Sequence, residues 1–155
     1  MIPITRLSAP RTIKAEHHEL HHLLTRAVES GGRIGEAALR VVDLLRPHMQ
    51  KEEEFSLPPL SVLAALVKGD PIPDPELVLS MSERLRAEFV SLVREHDEIV
   101  RALQRLIVAA RADGRTDIVE FAEKLVLHAE MEEEVLYPAA ILAGEILRHR
   151  RARQS

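Results

Sequence analysis

Two stretches of the chain place a histidine four residues before a run of three glutamates: His48 before Glu52-Glu53-Glu54, and His128 before Glu132-Glu133-Glu134. Two further histidines directly follow a glutamate, in Glu16-His17-x-x-Leu20 and Glu95-His96-x-x-Ile99. These blocks repeat at an offset of 79 to 80 residues, and in both copies a proline, Pro58 or Pro138, stands ten residues after the histidine. Imidazole nitrogens and carboxylate oxygens together suit iron, manganese or zinc. On a helix, positions i and i+4 share a face, so His48 projects with Glu52 and His128 with Glu132. Six side chains are therefore candidate metal ligands: His17, His48, Glu52, His96, His128 and Glu132.

The helix faces that carry them are apolar. His48 and Glu52 share a stripe with Val41, Leu44 and Phe55; His128 and Glu132 share one with Phe121, Leu125 and Val135. His96 sits among Phe89, Leu92, Val93, Val100 and Leu103, and His17 among Ile13, Leu20 and Leu24. A surface His–Glu ion pair needs no such neighbours. A lone buried histidine is more often a satisfied core residue than a ligand, but here four occur in a repeated pattern at matching heights. His17 lies 14 residues before Gly31 and His48 lies 16 after Gly32, which puts both roughly 21–24 Å from their shared turn. His96 and His128 flank Gly114 at 18 and 14 residues, within about one helical turn of each other. Burying four imidazoles and two carboxylates without compensation costs many kcal/mol. A pair of metal ions removes that cost, with each carboxylate able to bridge both ions. Inward-facing carboxylates and histidines from four helices are a known way to hold two metals in a bundle.

The elements that must position these residues are helices, because apolar residues recur at three- and four-residue steps almost throughout. A first helix is expected from about residue 8 or 10 to 29, stopped by Gly31-Gly32. A second runs from about 34 to 57, stopped by Pro58-Pro59. Asp74-Pro75-Glu76 starts a third, which runs to about 113. Thr116 or Asp117 caps a fourth, reaching Tyr137-Pro138, and residues 139 to 149 form a short fifth helix or a bent continuation. Short glycine-centred turns make antiparallel neighbours, so the chain reads as two similar αα-hairpins. Their long connection, 57 to 75, contains an apolar segment, 60 to 67, expected to be a short helix. The reading is thus one all-α domain over residues 1–147, followed by a disordered basic tail over 148–155. Pro47, directly before His48, removes a backbone hydrogen bond and is expected to bend the second helix.

Composition supports this class and excludes others. Aromatic residues make up only 3% of the 155 residues, with no Trp, one Tyr and three Phe, so the core must be aliphatic, as helical bundles allow. There are no cysteines, which excludes disulfides, thiolate metal sites and thiol catalysis. The net charge of −4 gives no reason to expect a nucleic-acid partner. No apolar run at the start is long enough for a signal peptide, and none reaches the roughly 18 residues of a membrane span. The expectation is a cytoplasmic protein, monomer or homodimer, with no membrane partner. No phosphate-binding loop, dinucleotide fingerprint or nucleophile elbow is present.

Several neighbours of the six bear on the site. His21, one turn from His17, is open as a seventh ligand or as a partner of a ligand. His18 and His22 fall on the polar side. Glu53, Glu54, Glu133 and Glu134 rotate toward solvent, with Glu53 and Glu133 nearest the site. Tyr137, the only tyrosine, is expected to pack or cap, leaving no obvious protein acid beside the centre. Phe55, Phe89 and Phe121 are expected to make the pocket apolar, which suits neutral diatomic ligands.

The series Glu-His-x-x-Leu, His-x-x-x-Glu-Glu…Pro, Glu-His-x-x-Ile, His-x-x-x-Glu-Glu…Tyr-Pro resembles the hemerythrin-like family, the HHE cation-binding domain, over about residues 10 to 140. The resemblance implies an up-down-up-down four-helix bundle and a non-haem centre of two iron ions, with Mn or Zn as possible substitutes. It assigns His17, His48, Glu52, His96, His128 and Glu132 as ligands, with Glu52 and Glu132 as bridges. Oxygen-carrying hemerythrins have a second histidine one turn from that of helix 3, where this chain has Leu92 and Val100. Their helix 4 carboxylate is an Asp five residues on, where Glu132 here follows at four. These departures point to the branch that includes iron and oxygen sensors and proteins that repair nitric-oxide-damaged iron centres. The repair proteins usually carry a cysteine-bearing segment, and this chain has none. The expectation is a protein that binds, senses or slowly reduces O2, NO or peroxide. The competing expectations are an iron-dependent regulatory module and a peroxidase-like or NO-handling enzyme.

Overall fold

Each helix has one apolar stripe to bury, and glycine or proline marks most of its stops. The computed structural model describes residues 7–154. Residues 1–6 of the expected domain and Ser155 of the expected tail lie outside the described residues. There is no strand among the described residues. Helix α1 (Arg11–Glu29) turns at Gly31 into α2 (Gly32–Lys51). Gly31 has φ of 68°, a left-handed conformation that a side chain would strain. The connection contains a 3₁₀ turn (Pro58–Val62) and α3 (Leu63–Lys68), where sequence predicts one short helix. Next comes α4 (Pro75–Ala112), whose 38 residues span about 57 Å. Asp74 caps it, accepting a hydrogen bond from the Leu77 N–H at 3.3 Å, with Pro75 at the first helical position. A second turn, with Gly114 at φ 67°, leads to α5 (Thr116–Met131) and then α6 (Tyr137–Gln154).

The result is an all-α four-helix bundle. Helix α4 packs on α2 along one side and on α5 and α6 along the other, while α1 lies against α2 and α5. Pro47 lies inside α2, which continues to Lys51. Two features differ from the sequence reading. First, α2 and α5 do not run unbroken to their prolines. Each passes into a π-helical turn, Glu52–Ser56 and Glu132–Leu136, closed by Leu57 N–H on the Glu52 carbonyl and by Tyr137 N–H on the Glu132 carbonyl. The next residue in each case is Pro58 or Pro138, which has no N–H to continue α-helical pairing. Second, the expected disordered tail at 148–155 is corrected: α6 is helical through Gln154. Three of its four arginines have partners. Arg148 bonds Glu83 at 2.7 Å, Arg150 donates to the carbonyls of Leu66 and Asp70 at 2.8 and 3.2 Å, and Arg151 pairs with Glu76.

The core divides into layers along the bundle. One layer, toward the two glycine turns, gathers Leu20, Leu24, Leu45, Ile99, Leu103, Phe121 and Leu125. The next gathers Phe55, Leu57, Leu85, Leu92 and Tyr137. On every helix the candidate ligands fall between residues of these two layers. A polar level is thus enclosed above and below by apolar side chains.

Candidate metal centre

All six predicted ligands are buried, between 1% and 6% exposed. Their atoms form two groups whose members lie within 4.8 Å of one another: His48, Glu52, His96 and Glu132, and His17, His128 and Glu132. The carboxylates divide their oxygens between these groups. Glu52 Oε1 is 3.1 Å from His48 Nε2, and its Oε2 is 3.7 Å from His17 Nε2. Glu132 Oε1 is 3.4 Å from His96 Nε2, and its Oε2 lies 3.5 Å from His128 Nε2 and 3.8 Å from His17 Nε2. The His17 and His128 Nε2 atoms stand 3.2 Å apart.

Three histidines are held from behind by carboxylates that the sequence reading did not assign this role. His48 Nδ1 meets Glu95 at 2.7 Å, His96 Nδ1 meets Glu133 at 2.8 Å, and His128 Nδ1 meets Glu16 at 2.5 Å. A carboxylate can only accept, so each Nδ1 donates. In the neutral ring this leaves the Nε2 lone pair pointing into the bundle. Glu95 is in turn held by Lys51. The repeat places Glu53 where Glu133 stands in the second copy, yet among the described residues no hydrogen bond joins Glu53 to His17. Sequence reading set Glu133 toward solvent but at the edge of the site, with a supporting role open; the structure brings it onto His96. His21 is exposed and belongs to neither group.

Tyr137 is another residue whose position the sequence did not reveal. It is fully buried, and its hydroxyl donates to Glu52 Oε1 at 2.5 Å. The same oxygen is 3.3 Å from His48 Nε2 and 3.4 Å from His96 Nε2. Its ring stacks on His96 with centroids 5.7 Å apart. The expectation that no protein acid stands beside the centre is therefore corrected. The only hint was negative: a lone tyrosine, five residues after Glu132, in a chain nearly free of aromatics.

The electrostatics are those of a metal-free ligand set. Burial lowers the His48 pKa, but the hydrogen bond and charge of Glu52, and then Glu95, raise it to about 9. Burial likewise opposes His128, and Glu132 and Glu16 raise it to about 9. Burial and the neighbouring Glu132 charge push Glu52 up. Burial would also raise Glu132, but its interactions with Glu52, His128, His17 and His96 hold it well below the usual range. Burial, then the charges of Glu52 and Glu132, keep the Tyr137 phenol protonated far above its usual range. Glu132 Oε2 is buried without a hydrogen bond, a costly state for a carboxylate oxygen. That orphaned oxygen, with imidazole nitrogens converging on it, fits a bound cation.

A helical bundle with imidazoles and carboxylates from four helices gathered at one buried level is a metal-binding bundle protein. The family model of the hemerythrin HHE cation binding domain matches residues 8–140. The chain belongs to that family, and cation binding is its common property. No curated protein and no solved structure matches the chain. Among the described residues, no helix is long and apolar enough to cross a membrane.

Proposed function

We propose that the chain holds two iron ions and binds, senses or slowly reduces a small oxidant there. The observation that carries this reading is the division of the carboxylate oxygens. Glu52 and Glu132 each turn one oxygen toward His48 or His96 and the other toward His17 or His128. One ion would be held by His48, His96 and both glutamates, and the other by His17, His128 and both glutamates. Six side chains are too few to saturate two irons, and iron so held supplies open coordination positions and reversible electron transfer.

The protein supplies the rest. Glu16, Glu95 and Glu133 fix the tautomer and aim of three imidazoles. The layers containing Phe121 on one side and Phe55 and Leu92 on the other exclude bulk water. Tyr137, which keeps its proton, offers a hydrogen bond rather than a negative charge at this level. A single hydroxyl that already donates to Glu52 favours binding and slow redox cycling over rapid turnover.

The test is metal analysis of anaerobically purified protein, with optical spectra before and after exposure to O2. The expected result is about two irons per chain and new near-ultraviolet bands that disappear on reduction. A chain without iron whose thermal stability ignores chelator would overturn the reading.

A further inference from the structure

The two halves of the site are not equally enclosed. An open cleft of about 1160 Å³ lies between α1, α2 and α4, and of the six ligands only His17 lines it. His17 is also the one histidine of the four with no carboxylate on its Nδ1 among the described residues. The more enclosed half also carries the Tyr137 hydroxyl. Enclosure and anchoring both leave the His17 side as the accessible one.

The charges at the cleft select what can use it. Lys14, Arg46 and Arg84 line it, facing Glu53 and Glu54. Arg84 is engaged by Glu54 at 3.5 Å and Glu88 at 2.8 Å. Lys14 and Arg46 have no ion pair among the described residues, so their charge is available to a ligand. A neutral diatomic gas needs neither this charge nor this volume. We infer that the cleft lined by Lys14 and Arg46 is the access path and collecting site for a small monoanion, of the size of azide or nitrite, which reaches the metal on the His17 side. This inference rests on the two-ion reading above and adds to it the route and charge of the ligand.

Cationic walls raise the local concentration of an anion and its association rate, and salt removes the advantage. The experiment uses the full chain loaded with iron, with iron content measured on every sample. Azide is the anionic probe, followed by its optical band on the oxidised protein, and NO is the neutral probe on the reduced protein. The double variant Lys14→Gln/Arg46→Gln is compared with Arg101→Gln/Arg105→Gln, which removes the same charge from exposed positions of α4 outside the cleft. With iron content unchanged, the cleft variant should slow azide association about five-fold at low salt and leave NO association unchanged. The α4 variant should match the parent. The difference should vanish at high salt. Unchanged azide rates in an iron-replete cleft variant would overturn this inference alone, as would an equal loss in the α4 variant. A parent chain without iron would overturn the two-ion reading and this inference with it.

Discussion

The carboxylates behind the histidines connect residue chemistry to metal affinity. Glu95 is 29% exposed and Glu133 32%, so neither is buried at great cost, yet each orients a nearly fully buried ring. Removing the charge from such a partner weakens metal binding by about 10- to 100-fold in comparable sites. Glu95→Gln and Glu133→Gln should therefore each lower iron affinity within that range in a chelator competition, with helix content by circular dichroism unchanged. Glu53→Gln, which breaks no bond to a ligand, should stay within about two-fold of the parent. Equal losses in all three would show that surface charge, not ring orientation, controls affinity. The burial of six candidate ligands at one level was legible because i and i+4 spacing and the repeat identify residues on a common face. Glu95 and Glu16 were not, although each precedes a ligand histidine in sequence. Glu95 serves His48 and Glu16 serves His128, each on another helix. Periodicity reports which way a residue points on its own helix, not the rotation of the helix it meets.

At the scale of elements, stops and caps were legible because glycine, proline and a capping aspartate act locally. The π turns were not, since they depend on one carbonyl choosing the N–H five residues on. Their placement is informative: both begin at the bridging candidates Glu52 and Glu132, where wider turns often mark functional positions. The continuation of α6 escaped for a different reason. Its basic residues read as a solvated tail, and only the packing against α4 and the 57–75 connection supplies their partners. That packing depends on Gly144, because a Cβ there would lie 2.5 Å from Ser82 Cβ and 2.8 Å from its Oγ. Ser82 is itself fixed by donating to the Ala140 carbonyl at 2.8 Å. Gly144→Ala should cost about 1–3 kcal/mol through overpacking, partly offset by up to about 1 kcal/mol of helix propensity. A lower urea midpoint with full iron content is the expected result. An unchanged midpoint would mean that α6 shifts away from α4 freely, so the C-terminal half of α6 contributes little to the bundle.

For the whole molecule, folding, protons and metal are coupled through the same histidines. His48 and His128 rise from 6.5 to about 9 on folding. Between those values the folded metal-free chain holds more protons than the unfolded one, so its stability must fall as pH rises. The contribution is fully present below about pH 6.5 and lost by about pH 9, on the order of a few kcal/mol for the pair. Metal reverses the slope. Each imidazole must shed its proton to bind, so affinity should climb with pH, approaching two protons released per site pair below pH 9. Thermal denaturation at pH 6 and pH 8.5, with and without iron, separates the two effects. The metal-free protein should melt lower at pH 8.5 than at pH 6. The loaded protein should gain more from iron at pH 8.5, because a ligand at a thousand times its dissociation constant adds about 4 kcal/mol and that ratio grows with pH. For a chain of this size this amounts to roughly 8–16 °C. Equal melting of the metal-free protein at both pH values would mean that the two histidines are neutral before metal arrives. The buried carboxylates would then be carrying the protons, and the polar level would be organised around Glu52 and Glu132 rather than around imidazolium pairs.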